Sequence, residues 1–311
     1  MIFVKFAAKL PDVMVAEESA IVKTQTPSKM KDYALLLKLR LAFLVVLSAI
    51  SGYLFAGGGF GVDFWFLIIG GFLITGASNG FNQIIERDID KKMSRTANRP
   101  LPTGRMSVNE ALIISSLSAV IGAFLLFQIN YFAGVLGILA LVLYALIYTP
   151  MKRLTPWSVF VGAFPGAIPP MLGVIAVTGK FDANAGMVAG LLFFIQFIWQ
   201  FPHFWAIAWV LDEDYTKGGF SLLPSKTRKS KRSAFIILLY TLFMIPVSLI
   251  PWVLELTGDL TLIIGAIAGT WFFLYAYKLY MNLDDKSAKK LMFASFIYLP
   301  IIQFLYVLNK L

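Results

Sequence analysis

Hydrophobic residues in this chain form blocks of about twenty, the length that an α-helix needs to cross a bilayer. The blocks lie at residues 35–56, 64–86, 110–128, 131–149, 157–178, 185–211, 233–252, 259–280 and 290–308. A polar break at residues 128–130 divides what would otherwise be one overlong block. The pattern predicts an all-α integral membrane protein with nine transmembrane helices.

The residues before the first block are polar and of mixed charge. Lys5 and Lys9 interrupt the apolar run that a signal peptide would need, and no small-residue cleavage site follows. We therefore expect two parts. Residues 1–33 form a cytoplasmic N-terminal tail, and residues 34–311 form the nine-helix transmembrane domain.

The positive charges predict the orientation of the helices. If the N-terminus is cytoplasmic, every Lys and Arg of the chain except Lys180 and Lys310 falls on the cytoplasmic side. Lys and Arg concentrate on the cytoplasmic loops of membrane proteins. The sequence thus predicts a multi-pass protein of the cell (inner) membrane, with its N-terminus inside and its C-terminus outside. The even-numbered spans then end on the cytoplasmic side.

The amino-acid composition excludes several kinds of site and partner. Of the 311 residues, 59% are hydrophobic and 14% are charged, whereas about a quarter are charged in soluble proteins. The chain has no cysteine and a single histidine, which excludes disulfides, thiolate metal sites and polyhistidine metal sites. The cytoplasmic loops account for the net charge of +10, so no nucleic-acid partner is expected.

A dense polar cluster follows the second block, in the stretch NQIIERDIDKKMSRTANRPLPTG at residues 82–104. Asn82, Glu86 and Asp90 recur every four residues and drift only about 80° around a helix, so they share one face. A charged group costs about 2.5–3.5 kcal/mol at the centre of a bilayer, and oxygen ligands on one stripe suit Mg²⁺. Asp88 points elsewhere and is expected to pair with the lysines that follow it.

The same pattern has a plainer interpretation, in which the acids form an interfacial helix end that neighbouring bases neutralise. Arg95 and Arg99 follow the acids in a loop that is rich in proline. Arginine binds phosphate oxygens in bidentate fashion, although arginines in such a loop also satisfy the charge rule alone. Because Asn82 has no reason to join a charge pair, we favour a site for a metal ion and a diphosphate.

The sixth block ends in a second cluster, which contains the only histidine. Gln196, Gln200, His203 and Asp214 fall within a strip about 60° wide if the helix continues through Pro202. The strip favours Asp214 as the acid that joins a site. The histidine could be a haem axial ligand, a general base or a buried hydrogen-bonding residue.

Aromatic residues surround this strip, among them Trp199 and Phe204. Their ring faces could stabilise a carbocation or pack against an isoprenoid chain, although transmembrane helices are often aromatic near interfaces. The block before it contains Pro165, Pro169 and Pro170, and it is expected to be a broken helix that packs on protein or lines a cavity.

Together these motifs resemble the UbiA superfamily of intramembrane prenyltransferases, whose members have nine transmembrane helices and acidic motifs after helices 2 and 6. The stretches that carry the resemblance are ERDIDKKMSRTANRPLPTG, YTPMKR, GAFPGAIPPMLG, and WQFPHFWAIAW followed by EDYTKGG. The likeness covers residues 35–308. The PHFWA block is its most specific part and is similar to the superfamily members that farnesylate haem.

The resemblance implies a reaction. The farnesyl group of farnesyl diphosphate would be joined to a vinyl group of haem B with addition of water, giving haem O and diphosphate. It also implies Mg²⁺ as cofactor, and farnesyl diphosphate, haem B and the lipid bilayer as partners. A haem A synthase or the assembly machinery of a terminal oxidase would receive the product.

The resemblance further implies roles for individual residues. Glu86 departs from the aspartate that is often found at its position, but it keeps the carboxylate. His203 would lie where haem enters and would act in catalysis together with the metal ligands. The metal ligands would be Asn82, Glu86, Asp90 and Asp214. The diphosphate would be bound by Arg95, Arg99, Lys152, Arg153 and Lys217. The substrate cavity would be lined by Gln196, Trp199, Gln200 and Phe204.

Two other functions remain open at this point. A related prenyltransferase would act on a quinone precursor or a chlorophyll-type acceptor, and assays with different acceptors would separate it from a haem enzyme. A membrane transporter could also have nine spans and intramembrane acids. It would not need an arginine-rich loop beside a stripe of magnesium-like ligands, and it would not release diphosphate.

Overall fold

The computed structural model describes residues 28–311, so residues 1–27 of the predicted tail lie outside the described residues. The described chain folds as a bundle of helices. They are Lys29–Leu37, Leu39–Phe55, Val62–Asp90, Val108–Ile129, Tyr131–Val142, Ser158–Thr178, Ala183–Val210, Asp212–Lys217, Lys231–Val253, Asp259–Asn282 and Asp285–Leu308, with a π-helical turn at Leu143–Tyr148 and a short helix at Thr149–Met151.

The number of spans agrees with the prediction. Eight helices are long and apolar enough to cross a membrane, and the bent pair Lys29–Leu37 and Leu39–Phe55 makes nine if it counts as one span. We call that pair the first span and the eight longer helices, in chain order, the second to ninth; the fourth is Tyr131–Met151. From residue 28 onward the only β feature is an isolated bridge between Thr257 and Lys310, which confirms the all-α fold. The orientation of the termini stays a prediction.

The first span is bent by 44° rather than straight. Lys38 lies at the bend with a φ of 47°, in the left-handed region that residues other than glycine rarely adopt. The carbonyls freed before the bend are satisfied from the second span, where Gln83 Nε2 donates to the oxygens of Leu35 at 3.0 Å and Leu36 at 2.7 Å. The helix begins at Lys29, so the last residues of the predicted tail belong to this span.

The fifth span is one continuous helix, Ser158–Thr178, so the expectation of a broken helix was wrong. Its three prolines are buried against protein, where neighbouring helices rather than lipid surround the backbone. A Cβ atom on Gly52 would lie 2.0 Å from the carbonyl oxygen of Pro170. Glycine at this position therefore allows the first and fifth spans to approach within backbone contact.

Two irregular helix ends bring polar residues to the same end of the bundle. In the fourth span, Pro150 has no N–H to continue the hydrogen-bond ladder. The ladder widens before it into a π turn, in which the N–H of Thr149 bonds to Tyr144 five residues earlier. The sixth span continues through Pro202 as expected, but it ends at Val210.

Candidate active site

The acidic stripe of the second span faces the interior of the protein. Asn82, Glu86 and Asp90 are all buried, and Asp90 has no exposed surface. Asp88 is exposed and pairs with Lys91 at 3.1 Å, as expected. The three side chains that recur every four residues therefore lie on the buried face of the helix, and Asp88 lies off that face in a solvent-exposed ion pair.

Each member of the stripe contacts a polar residue from another segment. Asn82 Nδ2 donates to Thr149 Oγ1 at 3.2 Å. Lys152 Nζ lies 2.5 Å from Glu86 Oε1. The remaining acid, Asp90, accepts a hydrogen bond from the guanidinium of Arg99 at 2.7 Å. The C-terminal end of the fourth span and the loop at residues 91–107, which carries Arg95 and Arg99 and is called the arginine loop below, thus meet on the face of the second span.

The π turn of the fourth span presents Lys152 to this stripe. Its ammonium lies 5.0 Å from the ring centre of Tyr148 and 5.6 Å from that of Phe220. Burial lowers the pKa of Lys152, and the charge and hydrogen bond of Glu86 act in the opposite direction. π bulges are frequent at functional sites. Neither aromatic residue was predicted from the sequence as part of the site.

Asp214 anchors the arginine loop. Its Oδ1 accepts hydrogen bonds from the main-chain N–H and the hydroxyl of Ser94, at 2.9 and 2.6 Å. Its Oδ2 accepts from the main-chain N–H of Arg95 at 3.0 Å, and Lys217 Nζ is 3.7 Å away. Burial raises the pKa of Asp214, but the hydrogen bonds from Ser94 and Arg95 outweigh it and hold the pKa below its usual value.

The predicted helical strip from Gln196 to Asp214 was wrong in its last part. Leu211 leaves the helical conformation, with φ −103° and ψ 14°, and Asp214 belongs to the separate short helix Asp212–Lys217. Asp214 meets the first acidic motif through the loop contacts rather than through a shared face with the histidine. Asp212 pairs instead with Arg228 at 2.8 Å.

The side chains of the stripe are of the types that suit a divalent cation, but the structure does not bring all the predicted ligands together. Asp90 Oδ1 is buried and has no hydrogen-bond partner, and a buried carboxylate oxygen without a partner is costly. In the described part of the chain, however, no three acidic or histidine side chains gather closely enough to hold one ion. Asp214 would have to exchange its contacts with Ser94 and Arg95 to join Glu86 and Asp90.

The predicted diphosphate-binding residues lie at different depths. Arg99 and Lys152 are engaged with the acids, whereas Arg95 is exposed with its guanidinium 5.9 Å from the ring centre of Tyr215. Arg153 and Lys217 are also exposed. Arg99 and Lys152 thus contact the acidic stripe directly, whereas the side chains of Arg95, Arg153 and Lys217 are exposed at the surface.

Lys38 lies near the same charged groups, and sequence reasoning missed it. It is half-buried at the bend of the first span, and the charges that act on it are those of Arg99, Lys152, Arg95 and Glu86. A lysine within an apolar block was the available signal, because ionisable residues in membrane helices are rare and often functional.

His203 lies away from the acids, against the ninth span. Its Nδ1 is 2.7 Å from Ser295 Oγ, and its ring stacks on Trp199 with centres 4.5 Å apart. Phe204 lies beside the ring at 5.6 Å, and the edge of Phe296 approaches it at 4.8 Å. The structure thus places the histidine and two of the predicted cavity residues together.

The two glutamines of the sixth span connect helices. Gln196 Nε2 donates to the Gly166 carbonyl at 2.6 Å, and Gln196 Oε1 accepts from Gln303 at 2.7 Å. Gln200 Nε2 donates to the Ala163 carbonyl at 2.9 Å. Both amides have partners from the fifth or ninth span, so they join neighbouring helices. A role for them in lining a substrate cavity stays a prediction.

The fold and the sequence have known counterparts. Residues 45–299 match the UbiA prenyltransferase family. A protoheme IX farnesyltransferase of Flavobacterium psychrophilum is 46% identical over 300 residues, covering 93% of this chain and 98% of the relative. The chain belongs to the UbiA prenyltransferase family, and it is a multi-pass membrane prenyltransferase.

Solved structures support the same fold. A digeranylgeranylglyceryl phosphate synthase superimposes with a TM-score of 0.73 at 20% identity, covering 90% of this chain and 98% of that one. A UbiA homologue from Archaeoglobus fulgidus bound to GPP and Mg²⁺ gives a TM-score of 0.60 at 13% identity, covering 89% and 99%. These likenesses establish the arrangement of the helices.

Proposed function

We propose that this chain transfers the farnesyl group of farnesyl diphosphate to a vinyl group of haem B, with addition of water, to give haem O and diphosphate. The name of the Flavobacterium psychrophilum relative supports the donor and the acceptor. The observation that carries the proposal is the pairing of two buried carboxylates, Glu86 and Asp90, with two cations, Lys152 and Arg99. Such a cluster suits a metal diphosphate, which carries charges of both signs.

In the proposed reaction, the bond between the allylic carbon and the diphosphate oxygen breaks, and its electron pair leaves with the diphosphate. Lys152 and Arg99 would stabilise the negative charge that develops there. Lys38 and the exposed Arg95, Arg153 and Lys217 would hold the outer phosphate oxygens.

Asn82, Glu86 and Asp90 would hold Mg²⁺, and Asp214 is a further candidate ligand. The ion would supply positive charge at the leaving group when bound. The proposal is supported by the unpartnered Asp90 Oδ1 and by the Archaeoglobus fulgidus homologue that binds Mg²⁺ with GPP.

The aromatic rings beside Lys152 suit the allylic cation that forms when the diphosphate leaves. Tyr148 and Phe220 flank the ammonium, so an allylic carbon next to the leaving group would lie near their faces. The vinyl group would attack this carbon, and the resulting porphyrin-side cation would take the oxygen of water and release a proton. Until then the enclosed, apolar surroundings would keep water from the allylic cation.

The decisive experiment supplies the purified chain with farnesyl diphosphate, haem B and Mg²⁺ in lipid. We expect release of diphosphate and a product whose mass equals haem B plus the farnesyl group and one water. A quinone precursor and a chlorophyll-type acceptor serve as competing substrates. Prenylation of either one, without reaction of haem, would overturn the choice of acceptor. Movement of substrate across the membrane without release of diphosphate would favour a transporter.

The remaining parts of the proposal concern the location of the protein and the destination of its product. We propose that the chain lies in the cell (inner) membrane with its site on the cytoplasmic side, which the distribution of Lys and Arg supports. Its product would pass to a haem A synthase or to the assembly machinery of a terminal oxidase. Labelling of cysteines introduced at Arg87 and Lys180 from either side of the membrane would test the orientation.

A further inference from the structure

The hydrogen bonds around Ser295 determine which nitrogen of His203 carries the proton. Ser295 Oγ donates its only hydrogen to the carbonyl oxygen of Met292, at 2.6 Å. The same oxygen lies 2.7 Å from His203 Nδ1. A carbonyl oxygen can only accept, and two oxygens 2.6 Å apart repel each other unless a hydrogen lies between them, so the hydroxyl hydrogen belongs to this contact and Oγ accepts in the contact with Nδ1. The imidazole Nδ1 therefore carries a hydrogen, and the neutral ring has its lone pair on Nε2.

Neighbouring aromatic groups fix the direction of that lone pair. Trp199 stacks on the imidazole at an interplanar angle of 16°, and its Nε1 donates to the Ser295 main-chain oxygen at 3.2 Å. Phe296 meets the ring edge-on, at 80°. Ser295 thus serves two neighbours on the sixth span, through its hydroxyl and its carbonyl, and the imidazole can neither rotate nor flip without losing these contacts.

We infer that Ser295 is a positioning residue, which holds His203 as its Nδ1–H tautomer so that Nε2 is free to ligate the iron of haem. The inference rests on the proposed function for the identity of the ligand. Within residues 28–311, Nδ1 makes the one side-chain hydrogen bond of this histidine. Metal-bound histidines characteristically donate the other ring N–H to an oxygen, which fixes the tautomer and the orientation.

The position of the pair suits a ligand that arrives from the bilayer. Phe296 is 37% exposed on the surface of the bundle and touches the imidazole. Haem is a flat, largely apolar ring that partitions into membranes. It could therefore approach between the sixth and ninth spans, with its iron towards Nε2.

A direct test uses the fact that the chain has a single histidine. Histidine labelled with ¹⁵N gives one imidazole signal set in the full chain, without haem. We expect a protonated Nδ1 and an unprotonated Nε2 in the wild type and in Ser295→Thr. In Ser295→Ala we expect a mixture of tautomers. A proton on Nε2 in the wild type would overturn the inference, whatever the enzyme does with haem.

The second readout is haem binding. Ser295→Ala should weaken the binding of haem about 10- to 100-fold and shift its absorption spectrum, while Ser295→Thr should restore both. His203→Ala should change the spectrum further, and farnesyl diphosphate binding should be unaffected in all of them. Ser248→Ala is the matched control, because Ser248 also donates to its own helix and accepts from a ninth-span residue, Tyr298.

The outcomes separate the two claims. If the wild type has its proton on Nδ1, but the absorption spectrum of bound haem is unchanged in both His203→Ala and Ser295→Ala, ligation of iron by His203 would be overturned. Wild-type protein that ligates haem through this histidine but forms no haem O would sustain the inference and contradict the proposed reaction. Loss of haem binding in Ser248→Ala equal to that in Ser295→Ala would reduce Ser295 to a general packing residue.

Discussion

Lys152 Nζ and Glu86 Oε1 lie 2.5 Å apart and join the ends of the fourth and second spans. Both side chains are buried, so the two charges are desolvated together and each depends on the other. The lysine is also enclosed by the rings of Tyr148 and Phe220. The pair therefore holds a cation and a carboxylate beside the place where we propose that diphosphate binds.

Breaking this pair should cost both stability and activity. Lys152→Met leaves Glu86 buried without its counter-charge, and we expect a loss of about 3–5 kcal/mol in the free energy of unfolding. Glu86→Gln should cost a similar amount. The double variant should recover most of the stability but none of the activity. Thermal unfolding in detergent and release of diphosphate are the two measurements.

Lys290→Met is the control, since Lys290 is an exposed lysine on the ninth span, outside the proposed site. Its stability and turnover should match the wild type. A fully active double variant would show that the pair is structural only.

The acidic stripe should be sensitive at three positions and tolerant at a fourth. Asn82→Ala, Glu86→Ala and Asp90→Ala should each abolish turnover in protein that still inserts in the membrane, because each removes an oxygen ligand of the proposed metal. Asp88→Ala should have a mild effect, since Asp88 is exposed. Chelation of Mg²⁺ should stop the wild type, and added Mg²⁺ should restore it. Near-normal turnover in two of the three stripe variants would contradict the metal assignment.

Arg95 and Arg99 of the arginine loop should act on the donor substrate. Arg95→Ala or Arg99→Ala should weaken farnesyl diphosphate binding by about 1.5–3 kcal/mol, the range for hydrogen bonds to charged groups, and leave haem binding almost unchanged. Titration of each substrate separately is the measurement, with the exposed Arg232→Ala as control. If haem affinity fell and diphosphate affinity held, the arginines would serve the haem propionates instead.

Lys38 should contribute through its charge and not through its backbone. Lys38→Gly keeps the left-handed conformation without strain and removes the ammonium, whereas Lys38→Ala removes the charge and keeps a strain of about 1 kcal/mol. Both should lose affinity for farnesyl diphosphate to the same extent, but the glycine variant should unfold at the higher temperature. Lys38→Arg should retain affinity. Full affinity in Lys38→Gly would remove Lys38 from the site.

Asp214 should control the order of the arginine loop. In Asp214→Asn, the side-chain NH₂ must face an N–H donor of Ser94 or Arg95, so a hydrogen bond is lost at a cost of about 1–3 kcal/mol. We expect faster hydrogen exchange in residues 91–107 and weaker binding of farnesyl diphosphate. Asp212→Asn should instead loosen the segment around Arg228. Unchanged exchange in residues 91–107 would mean that other contacts hold the loop.

Sequence reasoning was most successful where the signal is local. The apolar blocks predicted the helices, because crossing a bilayer requires a continuous run of apolar residues. The spacing of Asn82, Glu86 and Asp90 predicted a common face, since helical periodicity holds within one regular element. It failed at Asp214, where Leu211 leaves the helix and the periodicity no longer applies.

The sequence by itself determined that the protein spans a membrane and how many spans it has. It also located the two acidic stretches, which follow the second and sixth apolar blocks. Only the tertiary structure decided the partners: Lys152 with Glu86, Asp214 with the arginine loop, and Ser295 with His203. Hydrophobicity and helical period are properties of neighbouring residues. Each of these pairings joins positions tens of residues apart, so it exists only once the helices have packed in a particular order and at particular depths.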